Sequence, residues 1–415
     1  MQRRIMTIAA WMLLVSACSS ADLSSTQAPP GPTTSEVAET SAESESAAGD
    51  EVDATDAATS QIGADSWPTF RLDPQRSAFD GSDSARFDEP ELLWSFQTGG
   101  VVESSPAVVD GTVYVGTFDD NLFALDATTG EQRWAFPVGG LVRASPAVVD
   151  GRVFFGADDD LFYAVDAATG SELWRFPLGR GGEQSSPAVV DNVVYFGAFD
   201  RNVYALDAQT GEELWSFETG AGILSSPLVA NGVIYIGSID GNFYALDAAT
   251  GDQQWAVTTG GSIFSSGAWI SDSDGPDGRA AVVFGSDDGR IYAVDAQTGE
   301  SRWNIQTAAP VFATPAVVGG EVIIGSRDGS LLSIAASSGV ALWGVDLREV
   351  LSSAAVDAER IYVGSSDGTL HVLDRDGTPL TQLRVGELVW TSPAVVDDHL
   401  FFGAHDGNVY GYRVG

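Results

Sequence analysis

One phrase recurs along this chain at near-constant spacing, and no other feature limits its fold as much. Ala-x-Asp-x-x-Thr-Gly-x-x-x-Trp stands intact five times, ending at Trp134, Trp174, Trp215, Trp255 and Trp303. A second landmark, the proline of "SPAVV" or its equivalent, falls at Pro106, Pro146, Pro187, Pro227, Pro315 and Pro393, and Gly267 and Ala354 fill the two remaining slots. The eight slots lie 39 to 41 residues apart, except where unit five carries an insertion. Repeats with a period of about 20–50 residues build arrays whose units bury their apolar faces against one another.

Each unit reads as four short strands. In the first, "SSPAVV" (104–109) passes through Asp110-Gly111 into "TVYVGTF" (112–118), then "NLFALDA" (121–127), and "TTGE" leads into "QRWAF" (132–136). Alternating β-branched and aromatic residues between Asp, Gly and Asn are hairpin signals. A proline inside the first strand suits an edge strand. An all-β, eight-bladed β-propeller of four-stranded antiparallel blades satisfies all of this, with each innermost strand's free edge on a central channel. The last unit (391–415) runs out after three strands, and "ELLWSFQTG" (91–99) is an outer strand without a unit. Strand 91–97 is therefore expected to complete blade eight and close the ring. The lead-in 65–90, with "SWPTFRLDPQRSAFDG" (66–81), is expected to pack on the outside.

The repeated residues read as structural. Asp and Thr-Gly suit a tight turn, and Trp offers a large apolar face plus one N–H that needs a partner. Trp94 and Trp343 extend the set; Ala335 replaces Asp in blade six, and blade seven has no Trp. The motif resembles the tryptophan-docking repeat of quinoprotein-like β-propellers over about 91–415. Many enzymes of that family hold pyrroloquinoline quinone in the channel with Ca²⁺, an aspartate base and a vicinal disulfide. The single cysteine, Cys18, rules out such a disulfide. No ligand set maps onto matching positions, and the three histidines (His371, His399, His405) lack metal-ligand spacing. No catalytic residue and no cofactor is assigned.

The amino terminus reads as a processing segment (1–17) with a short apolar run ending in "VSAC", which looks like a bacterial lipobox with Cys18 as the lipidated residue. The stretch 18–64 is rich in Ser, Ala, Thr, Pro and acid, with no Lys, Arg or aromatic residue, and reads as a disordered tether. The net charge is −38 and every basic residue is Arg. That field excludes nucleic acid and direct polybasic attachment to lipid. The expected location is extracytoplasmic and membrane-anchored: facing the periplasm from an outer membrane, or on the outer face of a single membrane.

If the repeats are scaffold, function belongs where they differ. Three residues before the proline slot stand Glu103, Arg143, Gln184, Leu224, Phe264, Phe312, Leu351 and Trp390, charged or polar in blades one to three and apolar in the rest. A second variable set, two residues after the glycine of strand two, is Phe118, Asp158, Phe199, Ile239, Asp287, Arg327, Ser366 and His405. Both are placed near the channel mouth, either as a binding surface or as a plug. The insertion "ISDSDGPDGRAAVVFG" (270–285) resembles a degenerate calcium loop in which Asp272, Asp274 and Asp277 offer hard oxygen ligands. A solvated acidic loop is the plainer reading.

An acyl-anchored, eight-bladed, tryptophan-docked propeller of this length is similar to the outer-membrane protein assembly lipoprotein BamB. That resemblance implies a non-enzymatic, monomeric scaffold that binds a protein or peptide, in that family a component of the β-barrel assembly machinery. Two alternatives stand beside it: a quinone-dependent dehydrogenase, and a small-ligand or Ca²⁺ sensor.

Overall fold

The computed structural model describes residues 66, 69–71, 73, 89–179, 181–182, 185–350 and 352–414. Cys18, Gln184, Leu351 and the tether 18–64 lie outside the described residues. Among the described residues thirty-two strands form eight separate four-stranded sheets, seven of them ordered by simple hairpins, as an eight-bladed propeller requires. Blade one comprises β2 (Ala107–Val109), β3 (Thr112–Gly116), β4 (Asn121–Asp126) and β5 (Gln132–Pro137). The preceding strand, β1 (Glu91–Gln97), pairs antiparallel with the last strand, Asn408–Arg413, and so completes blade eight as expected. The innermost strands contact one another around the ring, including blade one with blade eight.

The inner strands begin three residues later than the sequence pattern suggests. The reason is chemical: Pro106 has no N–H to give a ladder, and Ser105 directs its N–H sideways, 2.9 Å from the Ser145 hydroxyl of the next blade. The same bond repeats from Ser145 to Ser186, Ser186 to Ser226, Ser226 to Ser266, Ser266 to Thr314, Thr314 to Ser353, Ser353 to Ser392 and Ser392 to Ser105, at 2.8–3.2 Å. Eight blades thus share one closed circle of backbone-to-hydroxyl bonds. The serine one residue earlier works within its own blade: Ser104 Oγ accepts from Gly116 N at 3.0 Å.

The tryptophans tie the outer layer. The Trp94 indole N–H donates to the Ala127 carbonyl of blade one at 2.9 Å, and Trp134, Trp174, Trp215, Trp255 and Trp303 each donate to the corresponding alanine one blade on. The ring lies flat on the glycine of that turn. A Cβ on Gly130, whose φ is +72°, would stand 2.6 Å from Trp94, so both the close approach and the left-handed backbone demand glycine. Trp343 meets Gly377 of blade seven in the same way.

The lead-in departs from expectation. Thr69 and Arg71 are buried, at 5% and 1% exposure. Thr69 Oγ1 donates to the Pro187 carbonyl of blade three at 3.3 Å, while Arg71 donates to Pro315 O of blade six at 2.7 Å and to Ala354 O of blade seven. Two residues two apart can reach blades on opposite sides of the ring only at its axis. This part of the lead-in lies in the channel rather than packing outside, because the carbonyls of Pro187, Pro315 and Ala354 face the axis and take donors from it.

Candidate functional site

The two variable sets meet at the mouth because the backbone joins them. Within a blade, the N–H of Phe118 bonds Val101 O at 2.9 Å, and equivalent bonds run from Asp158, Ile239, Asp287, Arg327, Ser366 and His405. Between blades, the N–H of Val142 bonds Thr117 O and that of Val102 bonds Ala404 O. Among the described residues, each blade's second variable residue therefore stands beside the first variable residue of the blade that follows.

Two clusters result. In blades eight, one and two, Arg143 bridges Glu103 at 3.2 Å and Asp158 at 3.1 Å, and its guanidinium lies 4.5 Å over the Phe118 ring. His405 Nε2 lies 3.3 Å from Glu103 Oε1, and Trp390 stacks on that imidazole with centroids 5.8 Å apart. Burial pushes the Asp158 carboxyl above the usual carboxylate range, and Arg143 only partly offsets this. In blades five to seven, Phe264 and Phe312 meet edge to face at 5.0 Å, Arg327 lies 5.1 Å over Phe312, and Arg327 is paired with Glu349 at 2.8 Å. Burial also raises Asp287, with Arg327 pulling it down.

Placement refines the expected apolar arc. Leu224, Phe264 and Phe312 are half-buried in blades four to six, Ile239 is half-buried beside them, and Phe199 is exposed. Trp390 leaves the arc and joins the charged cluster through His405. The expected grouping of polar groups in blades one to three thus becomes a group spanning blades eight, one and two. Arg71 lies on the axis below the aromatic cluster instead, bonded to Pro315, which follows Phe312 by three residues and so by at most about 10 Å of chain.

A family model described as the beta-propeller of the beta-alanine-activating enzyme matches residues 84–319, more than half of the chain. The chain belongs to this propeller family. Residues 334–414 match the model of the outer membrane protein assembly factor BamB. No curated protein matches the chain. Among solved structures, BamB from Moraxella catarrhalis superposes with a TM-score of 0.68 at 18% identity, over 78% of this chain and 99% of its own. Quinohemoprotein alcohol dehydrogenase from Comamonas testosteroni gives 0.73 at 18%, over 84% and 80%. A europium-containing methanol dehydrogenase gives 0.74 at 15%, over 85% and 98%. The resemblance to quinoprotein-type propellers and to BamB holds, and at these identities it is one of fold.

Within this member of the propeller family, the acidic insertion does not gather its carboxylates. Asp272 Oδ1 accepts from Ala280 N at 2.6 Å, Asp274 Oδ2 accepts from Ser271 Oγ at 3.0 Å, and Asp277 reaches Arg302 at 3.5 Å. Among the described residues no group of three or more His, Cys, Asp or Glu is placed to hold a metal ion. Three residues of the axis and mouth are not marked by the sequence pattern. Thr69 and Arg71 lie before the first repeat, where no internal alignment reaches, and Glu349 lies two residues before an aligned slot.

Proposed function

We propose that the propeller is a non-enzymatic binding scaffold whose recognition surface is the channel mouth. One observation carries this reading: residues that differ from blade to blade converge there into an aromatic cluster and a charged cluster, above an axis that holds the chain's own Thr69 and Arg71. Aromatic residues and arginine are the side chains enriched at protein–protein contacts. The partner is a protein or peptide, and the BamB likeness favours a component of a β-barrel assembly machine. The setting is extracytoplasmic, the anchor is lipid on Cys18, and the propeller acts as a monomer.

The dehydrogenase neighbours make quinone chemistry the second reading, but the mouth does not fit that cofactor. Pyrroloquinoline quinone is a planar tricarboxylate and calls for uncommitted cations. Arg143 is engaged by two carboxylates and Arg327 by Glu349. The β-alanine activation in the family description is said of that enzyme.

The test is cross-linking of the membrane-bound protein followed by mass spectrometry, beside a Phe264→Ala/Phe312→Ala/Trp390→Ala variant. The expected result is an assembly-machine or precursor protein captured by the parent chain and lost from the variant. Alcohol oxidation dependent on added pyrroloquinoline quinone would replace the scaffold reading with the enzyme one.

A further inference from the structure

The seat of Arg71 has a chemistry of its own. In blade one, β2 and β3 are joined by a two-residue turn, and the pairs Ala107–Tyr114 and Val109–Thr112 carry the ladder. Antiparallel alternation then points the Pro106 carbonyl away from β3, toward the channel. The slot recurs once per blade, so the axis is ringed at one level by backbone oxygens. Two of these, on Pro315 and Ala354, accept from the two terminal nitrogens of Arg71, and a third, on Pro187, accepts from Thr69. A ring of carbonyl dipoles with a desolvated centre favours a cation. A planar guanidinium, with five donors in a fixed fork, can satisfy acceptors on neighbouring blades at once, which the compact ammonium of lysine does less well.

We propose that the axial channel is a guanidinium-binding site, occupied in cis by Arg71 and open to small guanidinium cations once that side chain is removed. The site is independent of the recognition surface at the mouth. It gives Thr69 and Arg71 a definite role: together they are an internal ligand that ties blade three to blades six and seven across the axis. Loss of Arg71 leaves buried carbonyls without donors, a deficit that a free cation of the same shape repairs.

The test compares the full chain with Arg71→Ala in thermal melts, using ethylguanidinium as the probe and tetramethylammonium at equal ionic strength as the control. Arg71→Ala is expected to lower Tm by about 5 °C, the scale for losing charge-assisted bonds to two buried carbonyls. Millimolar ethylguanidinium should restore Tm saturably in the variant, tetramethylammonium should not, and the parent chain should not respond. A variant that melts like the parent, or an equal shift in both proteins, overturns the proposal. Should the variant fail to fold, phenylglyoxal labelling of the intact parent decides. Arg201 and Arg348, whose side chains are 54% and 78% exposed, should react while Arg71 stays unlabelled until unfolding. Labelling of Arg71 at their rate overturns the site.

Discussion

In five blades a tyrosine hydroxyl donates to an aspartate four residues earlier: Tyr163 to Asp159, Tyr204 to Asp200, Tyr244 to Asp240, Tyr292 to Asp288 and Tyr410 to Asp406. Burial, followed by the bond to the carboxylate, raises each phenol, that of Tyr292 to about 12. In blade seven the slot holds His371, 5% exposed, with Nε2 3.3 Å from Ser365 Oγ and Asp367 at the usual aspartate position. Burial keeps the imidazole below its usual 6.5 and outweighs the pull of Asp367. The fold thus prefers the neutral ring. Its contribution is present above 6.5 and is lost as pH falls through the lower folded value. His371→Tyr is expected to restore the hydroxyl–carboxylate bond and to stabilise by about 1 kcal/mol at neutral pH, with a larger gain at pH 5. Thermal melts at the two pH values check this, and equal gains at both would remove the titration argument. This scale was only partly legible in the sequence. Trp and Gly announced their packing through repetition, whereas Arg71 occurs once and outside the repeat, so nothing in its neighbours marks it as buried.

At the level of elements, the inner strand is where sequence pattern and structure part. "SSPAVV" reads as one strand of six residues, yet only the last three make a ladder. The first three are diverted because a closed ring needs bonds around its circumference as well as within each blade. Periodicity records which side chains face inward and is silent on which neighbour a backbone N–H chooses. The consequence is measurable at Ser226, whose hydroxyl accepts the Ser186 N–H at 3.1 Å and whose own N–H bonds Ser266 Oγ at 2.8 Å. Ser226→Ala keeps the second bond and removes the hydroxyl to which the buried Ser186 N–H donates. The expected cost is about 1–3 kcal/mol, read as a lowered urea midpoint with an unchanged m-value. Exposed Ser301→Ala should change the midpoint little. A loss at Ser226 no larger than at Ser301 would mean that the hydroxyl circle contributes nothing to stability.

For the whole molecule, closure by β1 was legible because a strand was missing at one end and spare at the other, and the mouth was legible as position though not as partnership. Charge is the remaining global term. The chain carries 58 acidic against 20 basic residues, and the segment 18–64 holds only nine of the acids, so most of the net −38 falls on the propeller. Ion pairs such as Arg413–Glu91 at 2.9 Å lie on the surface, with side chains 48% and 65% exposed, where each contributes at most about 1 kcal/mol for salt to screen. Self-repulsion among the excess carboxylates acts over longer distances and is screened once the Debye length falls below about 10 Å. The two effects oppose each other in sign, and the charge excess makes repulsion the larger. Tm should therefore rise between low salt and half-molar NaCl, whereas a chain held together by its surface pairs would melt earlier. CaCl₂ at matched ionic strength separates screening from binding. Because Asp272, Asp274 and Asp277 are each committed to a different partner, Ca²⁺ at micromolar concentration should add nothing to the NaCl curve. A saturable micromolar shift, abolished by Asp272→Asn, would instead make the blade-five insertion a calcium loop that rearranges on binding.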